Sequence, residues 1–278
     1  MVVIKNASAS HQTTMSYRKI FSVVNEFTVS TVMARYAISL AAACKAELVL
    51  YAAHGEGGEE TILSHTDRHM AHLFTDAFEL GIPVTRITEI GNIGKLLPKR
   101  AQAENADLVF YPLMPYERYG ADLQRHTVHQ LLRTISSDLA VMRAVSMAKP
   151  HPAHILVPLA KVVGDMERRV LFIAELARSF HAQVTLFHLS AERDPKGLPD
   201  DIARFGKQLQ LQNIKVLERS GRGDIGKAIT VEAITRHNDL IVLGASERGL
   251  LQRMLFSNPA GDVIHKPPCN TILFRPAQ

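Results

Sequence analysis

The chain repeats itself, and this repeat constrains the fold more than any other feature of the sequence. The segment DLVFYP at 107–112 reappears as DLIVLG at 239–244, and GNIGK at 91–95 reappears as GDIGK at 223–227. A third pair, AELVLY at 46–51 and AQVTLF at 182–187, extends the match to the region near the start of each half. The nearly constant spacing indicates two homologous halves, because loop insertions shift such a spacing by only a few residues.

We therefore predict two tandem domains, residues 15–145 and 153–278. The segment between them, SMAKPHP at 146–152, has the proline content of a linker. A chain of 278 residues is long for one compact domain and comfortable for two. With 46% apolar and 21% charged residues, each domain has enough apolar side chains to build a buried core.

Each half alternates short apolar segments with longer segments of helical periodicity. In the second half we predict strands at 155–158, 184–188, 215–218, 240–243 and 271–274, and helices at 166–180, 199–211, 226–237 and 259–265. Continuous apolar strands joined by helices are typical of a parallel sheet with helices on both faces. The predicted fold class is α/β, in which ligands bind beyond the carboxyl ends of the strands.

Charge and composition narrow the classes of function. The net charge of +5 comes from scattered basic residues without an aromatic platform, so we expect no nucleic-acid partner. No segment approaches the ~20 apolar residues of a membrane span, and the N-terminus has no secretion signal, so we expect a cytoplasmic protein without membrane insertion. Cys44 and Cys269 lack metal-type spacing and are interpreted as free thiols.

The segment GRGDIGK at 221–227 has the glycine and lysine spacing of a phosphate-binding loop between a strand and a helix. The next residue is Ala228, however, where such loops carry the Ser or Thr that holds magnesium. We interpret the segment as a tight strand-to-helix turn.

Three histidines, His65, His69 and His72, lie on one face of a predicted helix at 62–74. Zinc accepts such ligands, but the positive charge of Arg68 on the same face opposes a cation. We favour a solvated or interface face and leave the metal question open. No Ser-His-Asp or Cys-His pair has supporting context, so we assign no catalytic residue and expect no enzyme, with slow ATP hydrolysis left open.

The apolar first strand, GDIGK at 223–227, NDLIVLG at 238–244 and KPPCNTILFR at 266–275 together resemble a universal stress protein domain. The whole chain resembles a tandem universal stress protein over nearly all of residues 17–276, most strongly in the second half. We predict five parallel strands in the order 3-2-1-4-5 in each domain. The resemblance implies that the last strands, 139–143 and 271–275, join the domains as an intramolecular pseudo-dimer. A homodimer of chains is compatible with this arrangement.

Nucleotide-binding members of that family carry Gly-x-x-Gly, nine residues, then Gly and Ser or Thr after the fourth strand. The segment 244–258 keeps this length, with Glu247 at the second glycine. Its backbone N–H groups and the following helix start would bind phosphates, which the Glu247 carboxylate opposes. The contacts that the resemblance implies are Pro158, Leu159 and Ala160 for adenosine, and Gly244, Ser246, Arg248, Ser257 and Asn258 for the phosphates.

Other positions depart from that pattern. The aspartate at the end of the first strand is replaced by Asn25 in the first half and by Ala160 in the second. The first half has PLMP at 112–115 in place of the glycines, so we predict that it binds no nucleotide.

Our leading prediction is a cytoplasmic stress-response protein that acts as a binding or regulatory module. Weak ATP binding in the second domain is a hypothesis, with magnesium undecided. The alternative is an interaction or small-molecule sensor module that binds no nucleotide, similar to stress-protein domains attached to membrane transporters, which implies a protein partner. A side chain that fills the ligand crevice would favour this alternative.

Overall fold

The computed structural model describes residues 16–55, 57, 59–114, 121–145, 151–189, 198–244 and 267–278. The described elements of the first half are β1 (Lys19–Val23), α1 (Thr28–Cys44), β2 (Glu47–His54), α2 (Glu60–Glu79), β3 (Val84–Ile90), α3 (Ile93–Ala103), β4 (Leu108–Pro112), α4 (Ala121–Thr134) and β5 (Asp138–Arg143). Those of the second half are β6 (His154–Leu159), α5 (Met166–Phe180), β7 (Gln183–Leu189), α6 (Asp200–Leu211), β8 (Val216–Gly221), α7 (Ile225–Thr235), β9 (Leu240–Gly244) and β10 (Asn270–Arg275).

The strands form one ten-stranded sheet in the order β3-β2-β1-β4-β5-β10-β9-β6-β7-β8. Each half therefore has the predicted order 3-2-1-4-5. All pairs within a half are parallel, whereas β5 and β10 are antiparallel, with Thr271 opposite Arg143 and Arg275 opposite Leu139. The predicted α/β class and the pairing of the last strands are confirmed. The boundaries at 15–145 and 153–278 stay a prediction.

Helices cover both faces of the sheet because successive strand residues point to opposite sides. In β1, Ile20 belongs to the apolar core beneath α1, α2, α5 and α6, while Phe21 belongs to the core beneath α3, α4 and α7. The predicted helix at 166–180 has the same bounds as α5, and the predicted helix at 259–265 lies outside the described residues. Across the junction between the halves, Phe172 of α5 stacks on Phe274 of β10 with ring centroids 4.1 Å apart.

The repeated aspartate before the fourth strand of each half has a structural role. Asp239 Oδ2 accepts hydrogen bonds from the backbone N–H groups of Ala153 and His154, at 2.9 and 3.1 Å, where β6 begins. Asp107 makes the same pair of bonds at the start of β1, at 2.8 and 3.0 Å. The aspartate therefore ties the first strand of each half to the fourth, which explains its repetition at 107 and 239.

Among the described helices, none is both long enough and apolar enough to span a bilayer.

Candidate functional site

The candidate site of the second half lies where β6 and β9 end side by side. These strands pair in parallel, with Ile155 opposite Leu240, although they are distant in sequence. In the sheet, β6 has β7, which follows it in the chain, as one neighbour and β9 as the neighbour on its opposite side. Such a reversal in strand order opens a crevice at the carboxyl ends of the strands. The crevice of the second half therefore lies at the carboxyl ends of β6 and β9, as predicted from the sequence.

Three of the predicted site residues come together here. Pro158 and Leu159 are the last residues of β6, Gly244 is the last residue of β9, and all three line one recess. Ala160 follows β6 directly and is half-buried. The other four predicted site residues, Ser246, Arg248, Ser257 and Asn258, lie outside the described residues, as does Glu247, and their roles stay predictions.

The sequence analysis missed Arg169, which dominates the described part of the crevice. This side chain is only 4% exposed, and it extends from the first part of α5 to the end of β9. Its guanidinium packs directly on Gly244: a Cβ atom at that residue would overlap the guanidinium carbon and both terminal nitrogens. Residue 244 is therefore glycine because the arginine needs a bare Cα beside it. The signal in the sequence was the spacing of four from Arg169 to Ile173, which places both on the apolar face of α5.

The space left beside Arg169 is small. The recess has a volume of about 10 Å³, which is about what one water molecule requires. The part of its walls that the structure describes is otherwise apolar and contains no carboxylate or imidazole; it consists of Val157, Pro158, Leu159, Ile173, Phe205, Val242, Leu243, Gly244 and Phe274. Among the described residues, a side chain thus occupies the space that a ligand would need.

The first half provides an internal comparison. Ala41 and Ala177 accept the same helix-ending hydrogen bond in α1 and α5, so Met33 and Arg169, each eight residues earlier, occupy equivalent positions. Met33 is completely buried. Pro112 ends β4 where Gly244 ends β9. The first half therefore has an apolar side chain and a proline where the second half has an arginine packed on a glycine.

Asn25, which stands where nucleotide-binding members carry aspartate, closes the turn between β1 and α1. Its Oδ1 accepts a hydrogen bond from the Phe27 N–H at 3.0 Å, and its carbonyl accepts one from the Ser30 hydroxyl at 3.2 Å. The Asn25 side chain therefore stabilises the turn, and its Nδ2 also lies 3.5 Å from Met114 Sδ just beyond β4.

The three histidines of α2 have different surroundings. His69 is half-buried, and its Nδ1 lies 2.9 Å from the Asn25 carbonyl oxygen. Since a carbonyl only accepts, that nitrogen donates, and His69 ties α2 to the turn after β1. His65 and His72 are exposed. Within the described ranges, no three His, Cys, Asp or Glu side chains are grouped as metal ligands would be.

The segment at 221–227 forms a strand-to-helix turn. Gly221 ends β8, Gly223 has φ of 97°, a region that favours glycine, and α7 begins at Ile225. The Asp224 carboxylate accepts a hydrogen bond from the Lys227 N–H at 3.0 Å and so caps α7. The N-terminus of α7 is therefore capped by Asp224, a residue of the segment itself.

Both cysteines are free thiols. Burial raises the pKa of Cys44 to about 11 and that of Cys269 to about 12. Thiols with such pKa values stay protonated near neutral pH, so neither has the thiolate character of a reactive cysteine.

The fold defines a tandem α/β protein, and the described residues form a crevice at the strand ends of its second half. A sequence model described as "Universal stress protein family" matches residues 134–275, more than half of the chain, and the chain belongs to this family. No curated protein matches it.

Several solved structures have the same fold. A universal stress protein from Archaeoglobus fulgidus DSM 4304 is 12% identical, with a TM-score of 0.65 over 94% of this chain and 97% of that chain. A functionally unknown protein from Pseudomonas aeruginosa PAO1 is 15% identical, with a TM-score of 0.62 over 94% and 93%. The cytoplasmic domain of a prokaryotic cation chloride cotransporter is 12% identical, with a TM-score of 0.60 over 94% and 95%. At these identities the likeness concerns the fold, and function must be argued from the site.

Proposed function

We propose that this chain is a cytoplasmic regulatory binding protein of the stress response, whose second domain binds adenine nucleotide weakly. Membership of the universal stress protein family supports the stress-related role. The observation that carries nucleotide binding is Gly244, which ends β9 beside Pro158 and Leu159 and has the bare Cα of a phosphate-binding loop. The Arg169 guanidinium packs on that Cα and fills the space in front of it, which lowers the affinity and favours the second candidate below.

Weak binding follows from this geometry. A nucleotide that approaches Gly244 must first displace Arg169, and the apparent affinity falls by the fraction of molecules in which the crevice is open. The described walls of the recess contain no carboxylate that could hold magnesium, so the metal would arrive with the phosphates. In the first half, Pro112 and the buried Met33 leave no equivalent glycine, which supports a stoichiometry of one nucleotide per chain.

Titration of ATP into the whole chain by calorimetry, with and without magnesium, tests the proposal. We expect one site per chain with a dissociation constant of about 0.1–1 mM, equivalent to about −5.5 to −4 kcal/mol. Two sites per chain would contradict the assignment to the second domain. Absence of heat at millimolar ATP, together with no nucleotide released from the denatured protein, would overturn nucleotide binding.

A second candidate is an interaction or sensor module that binds no nucleotide. The recess of about 10 Å³ favours it, because the described walls leave no room for a nucleoside. In one protein of similar fold this architecture is the cytoplasmic domain of a cation chloride cotransporter, and we infer by analogy a role beside another protein for this chain. If this candidate is right, titration of ATP into the whole chain gives no heat. Adding the chain to a partner protein then changes the sedimentation coefficient of that partner in analytical ultracentrifugation.

We propose no enzymatic activity. Hydrolysis needs a base that positions water, and neither carboxylate nor imidazole lies among the described walls of the recess. Release of phosphate from ATP above the rate in buffer would contradict this, provided that a Gly244→Val variant abolishes it.

A further inference from the structure

We infer that Arg169 determines which ligands enter the crevice of the second domain, because its guanidinium and a ligand compete for the same space on Gly244. The inference rests on the proposed function, and it names the residue that keeps binding weak. According to this inference, Arg169 fills the crevice when no ligand is bound and does not bind the ligand's phosphates.

The first argument is steric. The guanidinium lies closer to the Gly244 Cα than any β-carbon would allow, and the remaining space of about 10 Å³ is lined by apolar side chains such as Phe205 and Phe274. A phosphate or a ribose needs the same close approach to the backbone, which is what a glycine at a strand end permits. The arginine and the ligand therefore exclude each other at this position.

The second argument comes from the repeat. Met33 occupies the equivalent helix position in the first half and is completely buried, so this part of the fold is stable around a neutral side chain. Because a methionine is accommodated at the equivalent helix position, substitution of Arg169 by methionine is expected to preserve the fold.

The third argument concerns where the side chain goes when a ligand enters. Asp165 precedes Arg169 by four residues, is exposed, and makes no capping hydrogen bond through its side chain at the start of α5. A spacing of four lets two side chains meet on a helix face. Its carboxylate offers the displaced guanidinium an ion pair at the solvent-facing end of α5.

Calorimetry with three probes tests the inference on the whole chain: ATP, adenosine and inorganic tripolyphosphate. For an Arg169→Ala variant we expect about tenfold tighter binding of both ATP and adenosine, the gain expected if the open arrangement is about one tenth populated in the native protein. An Arg169→Met variant should show a smaller gain than Arg169→Ala, because the longer methionine side chain leaves less room beside Gly244. An exposed arginine, Arg236, gives the charge-matched control Arg236→Gln, which should bind ATP as the native chain does.

The outcomes separate the inference from the proposed function. If Arg169→Ala binds ATP more weakly while adenosine is unchanged, the arginine is a phosphate anchor and the inference is wrong, although nucleotide binding stands. If the native chain binds nothing but Arg169→Ala binds ATP, the inference stands and the proposed nucleotide binding of the native chain falls. If neither binds any probe, removing the arginine opens no site, and both are overturned.

The packing itself is tested without a ligand. Gly244→Ala should lower the Tm by about 5 °C in the native background, because the new methyl group overlaps the guanidinium. In the Arg169→Ala background the same substitution should change the Tm by less than about 1 °C. Gly55→Ala is the matched control, since a Cβ atom there meets nothing within 4 Å. Equal losses in both backgrounds would show that the arginine does not occupy the space on Gly244.

Discussion

Arg168 Nε lies 2.8 Å from Asp138 Oδ1, and this ion pair joins helix α5 of the second half to strand β5 of the first. The Asp138 carboxylate is completely buried. It also accepts hydrogen bonds from the Tyr17 hydroxyl at 2.8 Å and from the Ala277 backbone N–H at 2.7 Å. One carboxylate thus connects the start of the first half, its last strand, and two segments of the second half.

The equivalent position in the second half is Asn270, which starts β10 as Asp138 starts β5. Asn270 Oδ1 accepts from the Val145 backbone N–H at 2.9 Å, and its Nδ2 lies 3.0 Å from the Tyr36 hydroxyl. The two backbone hydrogen bonds cross the junction in opposite directions and are related by the repeat. Only Asp138 has an arginine beside it, which explains why only this position is charged.

Removing the charge of Asp138 should weaken the junction. We expect Asp138→Asn to lower the free energy of unfolding by about 1–3 kcal/mol, because Arg168 loses its partner while the Tyr17 and Ala277 hydrogen bonds are retained in part. Urea unfolding measures the loss. Asp76→Asn, at an exposed position of α2, should change stability by less than about 0.5 kcal/mol. Equal effects at both positions would contradict the role of the buried pair.

In each half an ion pair joins the third strand to the third helix. The acidic residue is on the strand in the first half and on the helix in the second. In the first half, Glu89 of β3 faces Arg100 of α3 with Oε1 and Nη2 2.5 Å apart; in the second, Arg219 of β8 faces Glu232 of α7 with Nε and Oε1 2.5 Å apart. Arg219→Glu should destabilise the protein by about 1–2 kcal/mol through repulsion.

The double variant Arg219→Glu with Glu232→Arg should recover most of that loss, because it restores a pair of opposite charges between the strand and the helix. A double-mutant cycle by urea unfolding measures the coupling between the two positions. Additive losses would contradict a direct interaction.

Gly221 is a packing glycine rather than a phosphate-loop glycine. A Cβ atom there would overlap the Phe187 ring, which is 2% exposed. Gly221→Ala should therefore lower stability by about 1–3 kcal/mol and leave the affinity for ATP unchanged. Thermal unfolding and calorimetry on the same sample measure both quantities. Loss of ATP affinity without loss of stability would reverse this assignment.

Alkaline pH should destabilise the folded chain from about pH 9 upward. Burial raises the pKa of Cys44 to about 11 and that of Cys269 to about 12, from an ordinary value of 9.0. It raises the pKa of Tyr36 and Tyr111 to about 12, from 10.0. The folded state therefore retains protons that the unfolded state releases.

This stability is fully present below pH 9 and is lost as pH rises toward 12. Urea unfolding at pH 8 and pH 10.5 measures the loss, and Cys269→Ala should make it smaller by removing one of the buried groups. An unchanged free energy of unfolding between the two pH values would contradict the predicted protonation states.

The sequence by itself determined the α/β class, the order of strands in each half, and the contact between β5 and β10, while their antiparallel direction came from the structure. These predictions follow from the alternation of apolar strands with helices, from the internal repeat, and from the family resemblance of the repeated segments. It also placed Pro158, Leu159 and Gly244 at one edge of the sheet, because parallel strands end together.

Only the tertiary structure decided what occupies that edge. Arg169 lies 75 positions before Gly244 in the sequence, and their contact depends on which helix packs over which strand end. The same is true of Arg168 and Asp138, which belong to different halves and meet only because β5 and β10 pair. Periodicity shows which face of a helix is buried, but the partner of a buried charge is set by the packing of distant elements. That packing places the Arg169 guanidinium on Gly244, the glycine at which the nucleotide-loop frame begins.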